Sequence, residues 1–144
     1  MRRLLAANIS FYGPCAASKS RSPSGRVRTS WLPLFSNYVF LFGSHDDVVT
    51  AKKTNCLSSV TEVADGNRLA SDLIDLHHLI DSNAPVQVEH KLAAGARVRV
   101  RVGSFAGCEG IVTKRRGKHY LVVNISFIQQ SVLVELDDFL VEAI

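Results

Sequence analysis

The chain has 144 residues and a formal charge of +4, from 17 Lys and Arg against 13 Asp and Glu. With 47% apolar and 21% charged residues it is too apolar for wholesale disorder, and no run of about 18 apolar residues exists to span a membrane. Three cysteines, Cys15, Cys56 and Cys108, are widely spaced and odd in number, which fits neither a disulfide framework nor a zinc pattern and suits a reducing cytoplasm.

The charge is unevenly spread. Residues 1–45 hold six cations (Arg2, Arg3, Lys19, Arg21, Arg26 and Arg28) and no carboxylate, which leaves the rest of the chain at −2. A basic, acid-free start points either to a segment that faces a polyanion or to an organelle transit peptide. Asn8 and Ser10 interrupt the apolar run too early for a secretory signal.

Arg2–Ile9 reads as the last two turns of a helix, with Leu4, Leu5 and Ile9 to one side. Phe11-Tyr12 reads as a short buried strand. Lys19–Thr29 is rich in Ser, Pro, Gly and Arg and predicts a solvated, flexible loop. Tyr38 to Phe42 is the densest aromatic and β-branched run and predicts a buried strand ended by Gly43. Ser44 then caps a short helix through Lys53, with Asp46 and Asp47 in its first turn. Cys56–Val63 is expected as a second strand and Asp65-Gly66-Asn67 as a turn.

Ser71–Ser82 predicts a helix capped by Ser71, with Leu69, Leu73, Ile74, Leu76 and Ile80 as its apolar face. His77 and His78 are adjacent and so point about 100° apart, which makes them poor co-ligands for one metal. Asn83–Leu92, with Pro85, reads as a linker. From Ala94 the pattern changes. Arg97, Arg99 and Arg101 alternate with Val98, Val100 and Val102, as in a half-buried strand with arginines outward. Gly103, Gly107 and Gly110 punctuate the stretch around Phe105, and IVTK-RRGK-HYLVV predicts a hairpin bent at Gly117. SVLVEL and a short closing strand at Phe139–Val141 follow. Five short strands between residues 94 and 144 point to a small barrel.

Two of these stretches together resemble a known family. GARVRVRVGSFAGCEGIV resembles the KOW motif, and VLVELDDFLVEAI is similar to the way KOW domains end in the NusG/RfaH family of transcription factors. PLFSNYVFLFG resembles the signature strand of that family's NGN domain, with Ser36 where Pro is usual, which relaxes the turn. The resemblance implies an α+β chain. A partial ferredoxin-like NGN domain (1–82), lacking its usual first strand, leads through a linker (83–93) to an SH3-like five-stranded β-barrel (94–144). A start codon set too far downstream is the economical account of the missing strand.

The resemblance further implies a cytoplasmic elongation or antitermination factor whose NGN domain docks on a coiled-coil helix pair of RNA polymerase. Leu34, Phe35 and Tyr38 map to the anchors, although alternation along a strand equally offers Phe35 and Tyr38 to the core. Thr54 and Asn55 map to the opposite side of the polymerase cleft. Arg21, Arg26 and Arg28 are candidates for non-template DNA or nascent RNA, through phosphate contacts that give affinity without sequence choice. The KOW domain would recruit the ribosomal protein NusE or the termination factor Rho. Phe105, Ile128, Lys114, Arg115 and Arg116 are the candidate contacts, against packing for Phe105 and a solvated turn for the cations.

No Gly-rich phosphate cradle, metal-ligand spacing or nucleophile–base set is apparent, so the expectation is a monomeric binding protein without catalysis or cofactor. Adjacent carboxylates such as Asp46/Asp47 and Asp137/Asp138 suit helix starts and turns better than acid–base work. The reading from another class is a ribosome-associated KOW protein that binds RNA; the linked LFSNYVF strand argues against it.

Overall fold

A computed structural model describes residues 1–91, 93–137 and 141–144. The chain is α+β, every strand pairing described is antiparallel, and among the described residues no helix is long and apolar enough to cross a membrane. It divides into two units, residues 1–22 with 28–62 and residues 23–27 with 63–144.

In the first unit a short helix, α1 (Arg2–Ala6), leads into β1 (Ser10–Tyr12), which pairs with β4 (Phe40–Phe42) in the register Ser10↔Phe42 to Tyr12↔Phe40. Helix α2 (His45–Lys53) starts on a capping box: Asp47 N–H donates to Ser44 Oγ while Ser44 N–H donates to the Asp47 carboxylate at 2.7 Å. Leu4, Ile9 and Ala51 form the buried centre, and Ala7, Phe11, Val39, Leu41 and Leu57 pack around it. Between β1 and β4 stands a hairpin of β2 (Cys15–Arg21) and β3 (Val27–Pro33), where a loop over 19–29 is expected from composition. All seven residues of β3 are exposed, which explains why no apolar alternation announces it. The strand expected at Cys56–Val63 does not form; this stretch has no regular structure.

In the second unit α3 (Gly66–Asp81) starts six residues earlier than the Ser71 cap suggests, because Asp65 caps it by accepting the Arg68 N–H at 2.9 Å. Leu69, Leu73, Leu76 and Leu79 are buried on this helix, whereas Ile74 is exposed. A six-stranded sheet follows, in the order β10-β6-β7-β8-β9-β5. Its strands are β5 (Val86–Glu89), β6 (Arg97–Val100), β7 (Glu109–Arg115), β8 (Lys118–Ile125), β9 (Gln130–Leu136) and β10 (Val141–Ala143). Strand β5 lies inside the stretch expected as linker, where Val86 and Val88 alternate with polar residues and pair with Val134 and Val132 of β9. The sheet is therefore one strand larger than expected, and no pairing joins β10 to β5 among the described residues. Phe139 and Leu140 of the expected closing strand lie outside the described residues.

Strand β8 holds this unit together. Leu121, Val122, Val123 and Ile125 are all buried, and since neighbours on a strand point to opposite faces, β8 is covered on both. Helix α3 packs on it. The helix brings two buried carboxylates into the contact, and each finds a backbone amide: Asp72 accepts from Ser126 N–H at 3.2 Å and Asp75 from Glu109 N–H at 3.3 Å. Burial pushes both carboxyl groups above the ordinary aspartate value, and the amide bonds only partly offset it.

Because the folded state holds these protons more tightly than the unfolded chain, the stability they lend is complete below about pH 4 and is lost as pH rises through the raised folded values. Asp75→Asn keeps an acceptor for the Glu109 amide and removes the buried charge. The variant is expected to lose less thermal stability between about pH 4 and about pH 7 than the unsubstituted chain, as read from Tm by circular dichroism. An equal or steeper loss would mean that the Asp75 charge stabilises the contact.

Candidate functional site

The first unit carries its candidate surface on a turn. Leu34 N–H donates to the Pro14 carbonyl at 2.8 Å, and Tyr38 N–H donates to the Phe35 carbonyl at 3.3 Å, closing a four-residue turn over Phe35-Ser36-Asn37-Tyr38. Asn37 has φ +73°, the positive φ that a type II turn requires at its third position and that Asn tolerates. The turn separates two neighbouring aromatics. Phe35 is 2% exposed and meets Phe40 edge to face, with ring centroids 6.5 Å apart, whereas Tyr38 is 46% exposed. Leu34 is half-buried. Phe35 is thus a core residue, and Tyr38 is the aromatic of the pair that can meet a partner.

Thr54 and Asn55 sit on a second turn of the same unit. Thr54 Oγ1 donates to the Ala51 carbonyl at 2.6 Å, and the Thr54 carbonyl accepts from Arg3 Nη1 at 3.2 Å. Asn55 follows the C-cap of α2 with φ +53°, and its N–H donates to the Lys52 carbonyl. Asn8 after α1 and Asn83 after α3 occupy the same left-handed position, so among the described residues each of these α-helices stops on asparagine. Asn55 therefore ends a helix as well as standing exposed. Both turns are anchored in one core, since Val39 and Leu41, just past Tyr38, pack on the cluster that contains Ala51.

Arg21 ends β2, Arg26 lies in the hairpin tip and Arg28 is on β3; all three are exposed. The apolar residues beside them escape sequence reasoning. Trp31 is 63% exposed on β3, where Leu32 is exposed as well, and Phe42, expected in a buried strand, is exposed at the end of β4. The signal that could have found Trp31 is its position three residues past Arg28, in a segment without a carboxylate.

In the second unit Phe105 and Ile128 are both buried. Among the described residues the exposed aromatic there is Phe127, on a 3₁₀ turn (Ser126–Ile128) that Gln129 closes at φ +55°. Of the hairpin-tip cations, Arg115 holds Glu89 and Lys118 holds Glu135, while Lys114 and Arg116 are exposed. Pairing with Arg115 draws the Glu89 carboxyl below its ordinary value. Arg116 and Gly117 both have positive φ, as a two-residue hairpin turn demands, so Arg116 sits in a conformation better suited to Asn or Gly. Arg97, Arg99 and Arg101 face outward and are held by Asp75, Glu109 and Glu142.

A cavity of about 190 Å³ in the second unit is ringed by Arg68, Arg97, Asp72, Asp75 and Glu109, whose opposite charges largely answer one another. Burial pushes the Cys108 thiol up to about 11, so it stays protonated at neutral pH. Among the described residues no group of three or more His, Cys, Asp or Glu could hold a metal ion. No protein-family model, curated protein or solved structure matches this chain.

Two stability measurements check the turn. Phe35→Ala is expected to cost the first unit about 3 kcal/mol in chemical denaturation, while Tyr38→Ala stays within about 0.5 kcal/mol. Ser36→Pro, at the second position of the turn, is expected to add about 0.4–1 kcal/mol by restricting the unfolded chain. Destabilisation by Ser36→Pro would show that position 36 departs from the φ that proline fixes.

Proposed function

We propose that this chain is a cytoplasmic transcription elongation or antitermination factor of the NusG/RfaH type. The first unit is its NGN-like part and docks on the clamp helices of RNA polymerase. The second is read as a KOW domain with an SH3-like sheet that recruits NusE or Rho. The observation that carries this reading is the division of labour in the Phe35–Tyr38 turn. One aromatic locks the turn into the core and the other, with Phe42, remains exposed on the same short segment. Large amphipathic aromatics on a rigid support are what protein interfaces use as anchors.

The resemblance of PLFSNYVFLFG and GARVRVRVGSFAGCEGIV to NGN and KOW segments supplies the polymerase as partner. Phe127 takes the place of Ile128 and Phe105 as the apolar contact of the second unit, because it alone of the three is substantially exposed. Lys114 and Arg116 add charge at the hairpin tip.

A pull-down of the full chain with the polymerase clamp helices tests the proposal. Binding is expected, and Tyr38→Ala should weaken it about tenfold or more while the Tm stays unchanged. Failure of the unsubstituted chain to bind, together with co-sedimentation with ribosomes, would overturn it in favour of a ribosome-associated RNA-binding protein.

A further inference from the structure

Strand β9 has six buried residues out of seven, with Val132, Leu133 and Val134 at its centre. At the rim of a sheet such a strand would show unpaired amides and carbonyls beside apolar side chains, the kind of edge that recruits another strand. Here β5 fills that place, in the register Val86↔Val134 to Glu89↔Ser131. The two strands are unequally committed. Strand β5 is four residues long, none of them fully buried, and among the described residues it is paired on one side only. The need for a neighbour lies with β9, while β5 gives up little by leaving.

The chain just beyond β5 is pinned to the same sheet. Ser131 Oγ donates to the Lys91 carbonyl at 2.7 Å, and Ala93 exchanges hydrogen bonds of 3.0 and 2.9 Å with Asn124. Strand β5 can therefore bow outward from a fixed point and return to it. Its side chains state what could replace it. Valines at alternate positions meet Val134 and Val132, and a carboxylate follows for Arg115, whose Nη2 donates to Glu89 Oε2 at 3.2 Å.

We propose that the β9 edge is a binding site for an extended peptide of this pattern, two alternate β-branched residues followed by a carboxylate, and that β5 is the resident strand that keeps it closed. The site uses neither Tyr38 nor Phe127 and does not depend on polymerase docking. A tethered rival counts as roughly millimolar, so the closed site admits only ligands that bind more tightly than β5 does.

A labelled peptide with the sequence of residues 84–91 tests this by anisotropy, with the full chain and with Val86→Asp/Val88→Asp, which sets two charges against Val134 and Val132. The peptide is expected to bind the double variant about tenfold or more tighter than the unsubstituted chain. A peptide with lysine in place of its glutamate should lose that binding and regain it when Arg115→Glu is added to the double variant. Failure of the peptide to bind the folded double variant, or equal affinity for both chains, would overturn the proposal. Dimerisation of the double variant with the peptide excluded would overturn it in favour of a second copy of this chain. Circular dichroism establishes that the variant is folded. Should it not fold, hydrogen exchange of the unsubstituted chain decides: β5 amides are expected to exchange well before those of β8, and equal protection would overturn the proposal.

Discussion

A strand with apolar side chains on both faces must be covered twice, and β8 imposes that demand on the second unit. Leu121 to Ile125 cannot be satisfied by a sheet with one wet face. Helix α3 packs on this strand and offers a row of leucines, but the face it buries also includes Asp72 and Asp75. Two carboxylates inside an apolar contact would be prohibitive unless bonded. The amides of Ser126 and Glu109 supply those bonds, so the same carboxylates that make the contact costly also fix where the helix lies along the sheet. Asn124 adds a second latch, exchanging two hydrogen bonds with the backbone of Ala93.

The first unit solves a different problem, that of holding an aromatic in water. Tyr38 can stand exposed because everything around it is fixed: Phe35 packed on Phe40, Leu34 bonded to Pro14, and Asn37 supplying the backbone angle the turn needs. Rigid presentation of this kind lowers the entropy that a partner must remove on binding.

How much of this the sequence discloses depends on whether folding leaves an apolar trace. Strand β4, helix α2 with its Ser44 cap, and the Lys118–Ile125 and Gln130–Leu136 strands are legible because burial writes a pattern into them. The β2–β3 hairpin is not, since a strand exposed on both faces needs no alternation. Residues 56–63 mislead in the opposite sense: β-forming side chains are there, but the strand is not. Helix α3 is found but started late, because Asp65-Gly66-Asn67 serves a turn and a helix start equally well. At the candidate site, residue types are legible and exposure is not. Phe35 versus Tyr38, and Ile128 versus Phe127, are separated by a turn geometry that residue type alone does not reveal.

The open hairpin also bears on the lifetime of the protein. Proteases take hold of extended, accessible backbone, and exposed tips of small and polar residues are where chains are most often nicked. The tip of the β2–β3 ribbon joins that geometry to arginine on both sides of Gly25, which makes it a natural first cut for enzymes that cleave after basic residues. A partner lying along the ribbon would shield those bonds. Engagement and survival would then be coupled, with idle copies turned over sooner than working ones.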